Sequence, residues 1–147
     1  MTEACRQTHD AGYLILKGKR QMTEEEIEKF EKVEVQLEGL HQEIGLLSKK
    51  QPDGAVNKWK LKYANRVIAA ANKLMGERHR PFGGFEGFEA MVRPTNSDVV
   101  MMLAQYIRCM DHKRADNVYV NLGRWYWLVD DARSNLLTSG PRKLKNK

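Results

Sequence analysis

With 147 residues, 41% hydrophobic and 30% charged, the chain is long enough for one folded domain. Three Trp, five Tyr and four Phe are too many for a disordered tail. The longest apolar runs, such as 99–104, fall far short of the roughly 20 residues of a membrane span, and Tyr13-Leu14-Ile15-Leu16 is too short for a signal-peptide core. The expectation is therefore a cytoplasmic protein without a membrane partner. Its two cysteines, Cys5 and Cys109, are expected to be free thiols, Cys109 as a small core residue.

The net charge of +6 is unevenly laid out. Residues 22–48 hold eight Glu against two Lys, whereas residues 49–80 hold nine Lys or Arg against two acids. The last seven residues, 141–147, add four more basic side chains. Residues 1–21 show no sustained period. They read as a flexible N-terminal extension, or as the product of a start at Met1 upstream of a functional Met22.

Thr23 with Glu26 three residues later has the spacing of a capping box, and three glutamates in the first turn suit the helix dipole. The helix that follows carries Phe30, Val33, Leu37, Leu40, Ile44 and Leu47 at spacings of 3, 4, 3, 4 and 3, a heptad seam. Such a seam packs inside a bundle or joins two copies of the chain as a homodimer. His41 beside it reads as surface or interface packing.

Gln51-Pro52-Asp53-Gly54 is a turn by residue type. A second helix, over about 56–75, is predicted to bury Trp59, Tyr63, Val67, Ala70 or Ala71, and Leu74, with Gly76 as its C-terminal cap. Helix one is acidic and helix two basic, so an antiparallel hairpin with cross-helix charge complementarity is expected. The segment from Glu77 to Phe88 combines Arg78, His79 and Arg80 with three glycines and with Phe82, Phe85 and Phe88. It reads either as a loop folded over the bundle end or as a partner-binding loop.

A third helix is predicted from Asn96 or Ser97 as cap to about Arg114, burying Val99, Leu103, Tyr106, Ile107 and Met110. A fourth is predicted over about 117–137 through Leu122, Tyr126, Val129, Ala132 and Leu136. Its Val118-Tyr119-Val120 and Trp125-Tyr126-Trp127 runs are strand-like by residue type. Ser139-Gly140-Pro141 stops it ahead of the basic tail. The expected fold is thus all-α: a single-domain bundle of about four helices over residues 22–140, opening with an acidic–basic helical hairpin.

No catalytic constellation is recognisable. His9, His41, His79 and His112 fall in different elements, and Cys109 with His112 lacks the third ligand a zinc site needs, so neither metal nor cofactor is expected. Nucleophile-elbow and phosphate-loop signatures are absent, Gly83-Gly84-Phe85-Glu86-Gly87 having neither the lysine nor the spacing. The adjacent Asp130 and Asp131 and the glutamates of helix one read as solvated surface.

Lys58, Lys62 and Arg66, with Lys73 two turns on, instead make a ridge suited to a phosphate backbone. Arg78, His79 and Arg80 extend it, and Trp59, Tyr63 or the loop residues Phe82 and Phe85 offer rings to unpaired bases. The competing reading is that the ridge neutralises helix one while Trp59 and Tyr63 are core. Size, helix content and basic surface resemble the small helical subunits of nucleoprotein machines, such as those of CRISPR effector complexes. No motif underlies that likeness, and no residue's role follows from it. Three functions stay open: an accessory subunit binding DNA, RNA or a nucleoprotein complex; a regulatory or immunity-type module binding an acidic protein; and a small enzyme using His79 or His112.

Overall fold

A computed structural model describes residues 22–89 and 91–140. The expectations placed on 1–21 and 141–147, including Cys5 and His9, lie outside the described residues. The described residues divide into two compact units, one over Glu28–Lys113 and a second that joins those before Glu28 to those after Lys113.

Three helices order the first unit: α1 (Glu24–Lys50), α2 (Lys58–His79) and α3 (Asn96–Ala115), with the ends of α1 and α3 reaching into the second. The seam of α1 is core, since Phe30, Val33, Leu37, Leu40 and Ile44 are buried and Leu47 is half-buried. Lys60 Nζ lies 3.1 Å from Glu43 Oε1, a charge pair between α1 and α2.

The turn at 51–54 closes with Gly54 N donating to Gln51 O at 3.1 Å. It then fastens to the entry of α3. Val56 N donates to Pro94 O (3.1 Å), Asn96 N to Gly54 O (2.8 Å), Ser97 N to Pro52 O (3.1 Å) and Asn96 Nδ2 to Gln51 O (2.9 Å). A side chain at Gly54 would crowd Gln51 and Asn96 at 3.2–3.3 Å, so those side chains would have to give by a few tenths of an ångström. The cap of α3 is Thr95 rather than Asn96 or Ser97: Asp98 N donates to Thr95 Oγ1, and Thr95 N to Asp98 Oδ2, each at 3.1 Å. Asn96 is buried by the turn it holds.

Gly76 interrupts α2 with φ 63°, but a further turn follows and Arg80 N returns to Gly76 O at 3.2 Å. Glycine tolerates that φ without the Cβ clash other residues meet. The helix therefore kinks at Gly76 and ends at His79, later than expected.

The second unit corrects the fold class. Residues 118–138 are not a fourth helix but a three-stranded antiparallel meander, β1 (Val118–Asn121), β2 (Arg124–Val129) and β3 (Ala132–Thr138), in the order β1-β2-β3. The protein is mixed helix and sheet, and the likeness to all-helical subunits falls with the fourth helix. The register sets Val118 opposite Trp127 and Tyr119 opposite Tyr126, and an irregularity between Tyr126 and Leu128 shifts the pairing with β3. Both connections are two-residue turns with positive φ throughout, Leu122 (51°) with Gly123 (77°) and Asp130 (50°) with Asp131 (64°). This pattern matches the hand of twisted strands.

Trp127 is 0% exposed, and the Arg114 guanidinium lies 5.2 Å from its ring centroid. Arg114 Nε also donates to Thr138 Oγ1 at 3.2 Å, tying the end of α3 to β3. Leu128 N donates to Asn117 O (2.8 Å) and Asp130 N to Met22 O (3.1 Å). The same unit holds the capping box, Glu26 N donating to Thr23 Oγ1 at 3.2 Å and Thr23 N to Glu26 Oε1 at 3.4 Å. On the other sheet face Tyr119 and Tyr126 stack at 5.5 Å, with Arg133 5.1 Å from the Tyr119 centroid.

Leu122 is 94% exposed at φ 51°, a conformation that costs a non-glycine residue about 1–2 kcal/mol and that Asn tolerates better. Leu122→Asn should therefore raise the unfolding free energy by about 0.5–1 kcal/mol, read as a higher urea midpoint at unchanged slope. In a helix the same change would lower it, because Leu is the better helix former. The sign of the shift separates hairpin from helix.

Candidate nucleic-acid interface

Helix α2 turns Leu61, Ala64, Val67, Ile68, Ala71, Asn72 and Met75 inward. The stripe expected from spacing, through Trp59, Tyr63 and Leu74, is rotated away from this one and shares only Val67 and Ala71 with it. Both sets satisfy helical periodicity. The inward set, which includes the alanines at 64 and 71, is the buried one. Trp59 is consequently 80% exposed and Tyr63 41% exposed.

Those rings share a face with the cations. Residues three and four apart on a helix are neighbours, so Trp59, Lys62, Tyr63 and Arg66 meet. They line a shallow, open depression of about 190 Å³. Lys58, Lys62, Arg66, Lys73 and Arg78 are all exposed and make no ion pair with a described residue. The α2 cation that reaches the acidic helix is Lys60, which lies off this ridge.

The start of α2 concentrates the charge further. Helices α1 and α3 carry acids in their first turns, Glu24, Glu25 and Glu26 in one and Asp98 in the other, as the positive end of a helix dipole favours. No acid stands in the first turn of α2, which begins Lys58-Trp59-Lys60 behind the cap Asn57. Asn57 Oδ1 accepts from Trp59 N at 2.8 Å. Lysines at a positive helix end oppose stability, so folding alone does not account for them.

The remaining basic and aromatic candidates separate from this patch. Arg78 lies past the Gly76 kink, and His79 is half-buried. Arg80 is mostly buried, with Nη1 3.5 Å from Glu86 Oε1. Phe82 is 47% exposed, whereas Phe85 is half-buried, edge-on to Phe88 at 5.3 Å and 6.4 Å from the Tyr106 ring.

A clasp that the sequence reading missed holds this loop along α2. Asn65 brackets Phe88, its Oδ1 accepting from Phe88 N at 2.7 Å and its Nδ2 donating to Phe88 O at 2.8 Å. Two turns on, Asn72 Nδ2 donates to Phe85 O at 2.9 Å, and Tyr106 OH donates to Asn72 Oδ1 at 2.7 Å. Gly87, at φ 150°, fits against Asn65, whose Oδ1 a Cβ would meet at 2.9 Å. The available signal was two asparagines seven apart, one of them within the buried stripe, where Asn is a poor choice unless hydrogen-bonded. Among the described residues no three His, Cys, Asp or Glu gather to hold a metal ion.

Burial raises the Tyr106 hydroxyl above its usual 10.0, a shift that its hydrogen bond to Asn72 partly offsets. The folded state thus keeps this proton where the unfolded chain releases it. The associated stability is fully present below pH 10 and is lost as pH rises beyond that. Tyr106→Phe should cost about 1–3 kcal/mol at neutral pH, because Asn72 Oδ1 loses its donor. The deficit relative to wild type should narrow above pH 10 in denaturant titrations. Lys58→Glu should do the reverse of a damaging mutation, raising stability by about 0.3–1 kcal/mol in thermal melts through the dipole. No family model matches the chain, and no curated protein or solved structure matches it either, so this surface is read from its own chemistry.

Proposed function

We propose that the protein is a non-enzymatic accessory protein that binds nucleic acid, or a nucleoprotein complex, through the outer face of α2. The observation that supports this reading is the 80% exposure of Trp59 beside Lys62 and Arg66, cations without an ion pair among the described residues. An aromatic ring needed for the core would be inside, and cations needed to neutralise α1 would reach it as Lys60 does. A surface that presents both to solvent suits a partner carrying negative charge and flat apolar rings. The depression itself is lined by an indole, a phenol, an ammonium and a guanidinium, with neither a nucleophile–base pair nor a carboxylate, which favours binding over catalysis. The competing occupant is an acidic protein surface.

Salt dependence separates them. Four phosphate contacts, from Lys58, Lys62, Arg66 and Lys73, predict an affinity loss of about 150-fold for duplex or about 50-fold for single strands between about 50 and 200 mM salt. A Lys62→Glu/Arg66→Glu variant, shown folded by circular dichroism, should lose most binding and about half of that salt slope in fluorescence anisotropy. No binding of DNA or RNA at about 50 mM salt would overturn the reading. A partner retained in pull-downs after nuclease treatment would then favour the acidic protein.

A further inference from the structure

Resting on that reading, we propose that the Trp59–Tyr63 face takes the unpaired bases of single-stranded nucleic acid. Bases lie on the indole and phenol rings, while Lys62 and Arg66 hold the neighbouring phosphates. A duplex keeps its base faces stacked on one another and offers a ridge of cations only phosphates. For such a ligand Lys58, Lys62, Arg66 and Lys73 suffice, and a tryptophan 80% exposed among them has nothing to touch. An unpaired base presents a flat ring of the kind an exposed indole stacks on, and every base has one, so such stacking tolerates sequence.

Shape favours a strand over a free mononucleotide or small cofactor. The depression holds about 190 Å³ and is open to solvent, whereas small-molecule pockets enclose roughly 300 Å³ or more. The cations also run well beyond it. Lys58 and Lys73 are 15 residues apart on one helix, which is about 22 Å along its axis. That spread suits a strand passing over the helix with its bases turned toward the rings, not a single phosphate group. Lys62 and Arg66 follow Trp59 and Tyr63 by three residues each, so each ring has a cation one turn along the axis.

The test is anisotropy binding of the full chain to three labelled ligands of equal length at about 50 mM salt: oligouridylate, an RNA duplex, and an abasic single strand. Wild type is compared with Trp59→Ala/Tyr63→Ala and with Trp59→Phe/Tyr63→Phe, each checked by circular dichroism. Both rings lie outside the core, so folding should survive. The alanine variant is expected to lose about tenfold to a hundredfold in affinity for oligouridylate and less than about twofold for the duplex. The phenylalanine variant should recover most of the loss. Wild type should prefer oligouridylate to the abasic strand, and the alanine variant should bind the two alike. Equal losses on single strand and duplex, or no preference of wild type for bases over abasic backbone, would overturn base stacking while leaving a cationic phosphate-binding ridge. Failure of wild type to bind any of the three would overturn the ridge as well.

Discussion

A helix of the length of α2 has room to bury one stripe of side chains, and here that stripe runs through Leu61, Ala64, Ile68, Ala71 and Met75. Once these face inward, rotation about the axis leaves no freedom for the rest. Trp59, Lys62, Tyr63 and Arg66 must share the outer surface. Two large rings are thereby left in water, an arrangement that gives up the burial energy of roughly 1.5–3 kcal/mol each that a core position would return. The buried stripe is aliphatic instead, with alanines at 64 and 71 among its larger side chains.

The same inward face carries a polar side chain that helps to organise the following loop. Asn72 sits in the buried stripe and is satisfied on both sides, by Tyr106 OH and by Phe85 O. Asn65, two turns earlier, brackets the backbone of Phe88. A loop containing Gly83, Gly84 and Gly87 is inherently costly to order. Here its main-chain groups are answered by amides projecting from a rigid helix, so its course follows that of α2. Phe85 is drawn toward Tyr106 while Phe82 remains outside. The Phe-rich loop is thus divided, part of it packing and part of it surface.

In the other unit the organising contact is Trp127, buried beneath the Arg114 guanidinium at the end of α3. Arg114 is also bonded to Thr138, so one side chain joins a helix end, the central strand and an edge strand. A meander of short strands is marginal by itself. Arg114 ties two of its strands to the residue that ends α3, and the backbone bonds from Leu128 to Asn117 and from Asp130 to Met22 fasten it further.

Much of this could be read from residues in order, and the limits have physical causes. The capping box at Thr23, the apolar heptad pattern of α1 and the turn at 51–54 depend on neighbours within a few positions. Such features are local chemistry, and the sequence by itself determined them. The meander was misread because Leu122, Tyr126, Val129 and Leu136 also fit a helical period. The decisive cue was instead Leu122-Gly123, two residues between β-branched and aromatic runs. Only the tertiary structure decided which stripe of α2 faces inward, and with it the exposure of Trp59 and Tyr63. Periodicity defines a set of stripes on a helix, but the choice among them depends on the volumes of side chains far away in the chain, which no local pattern contains.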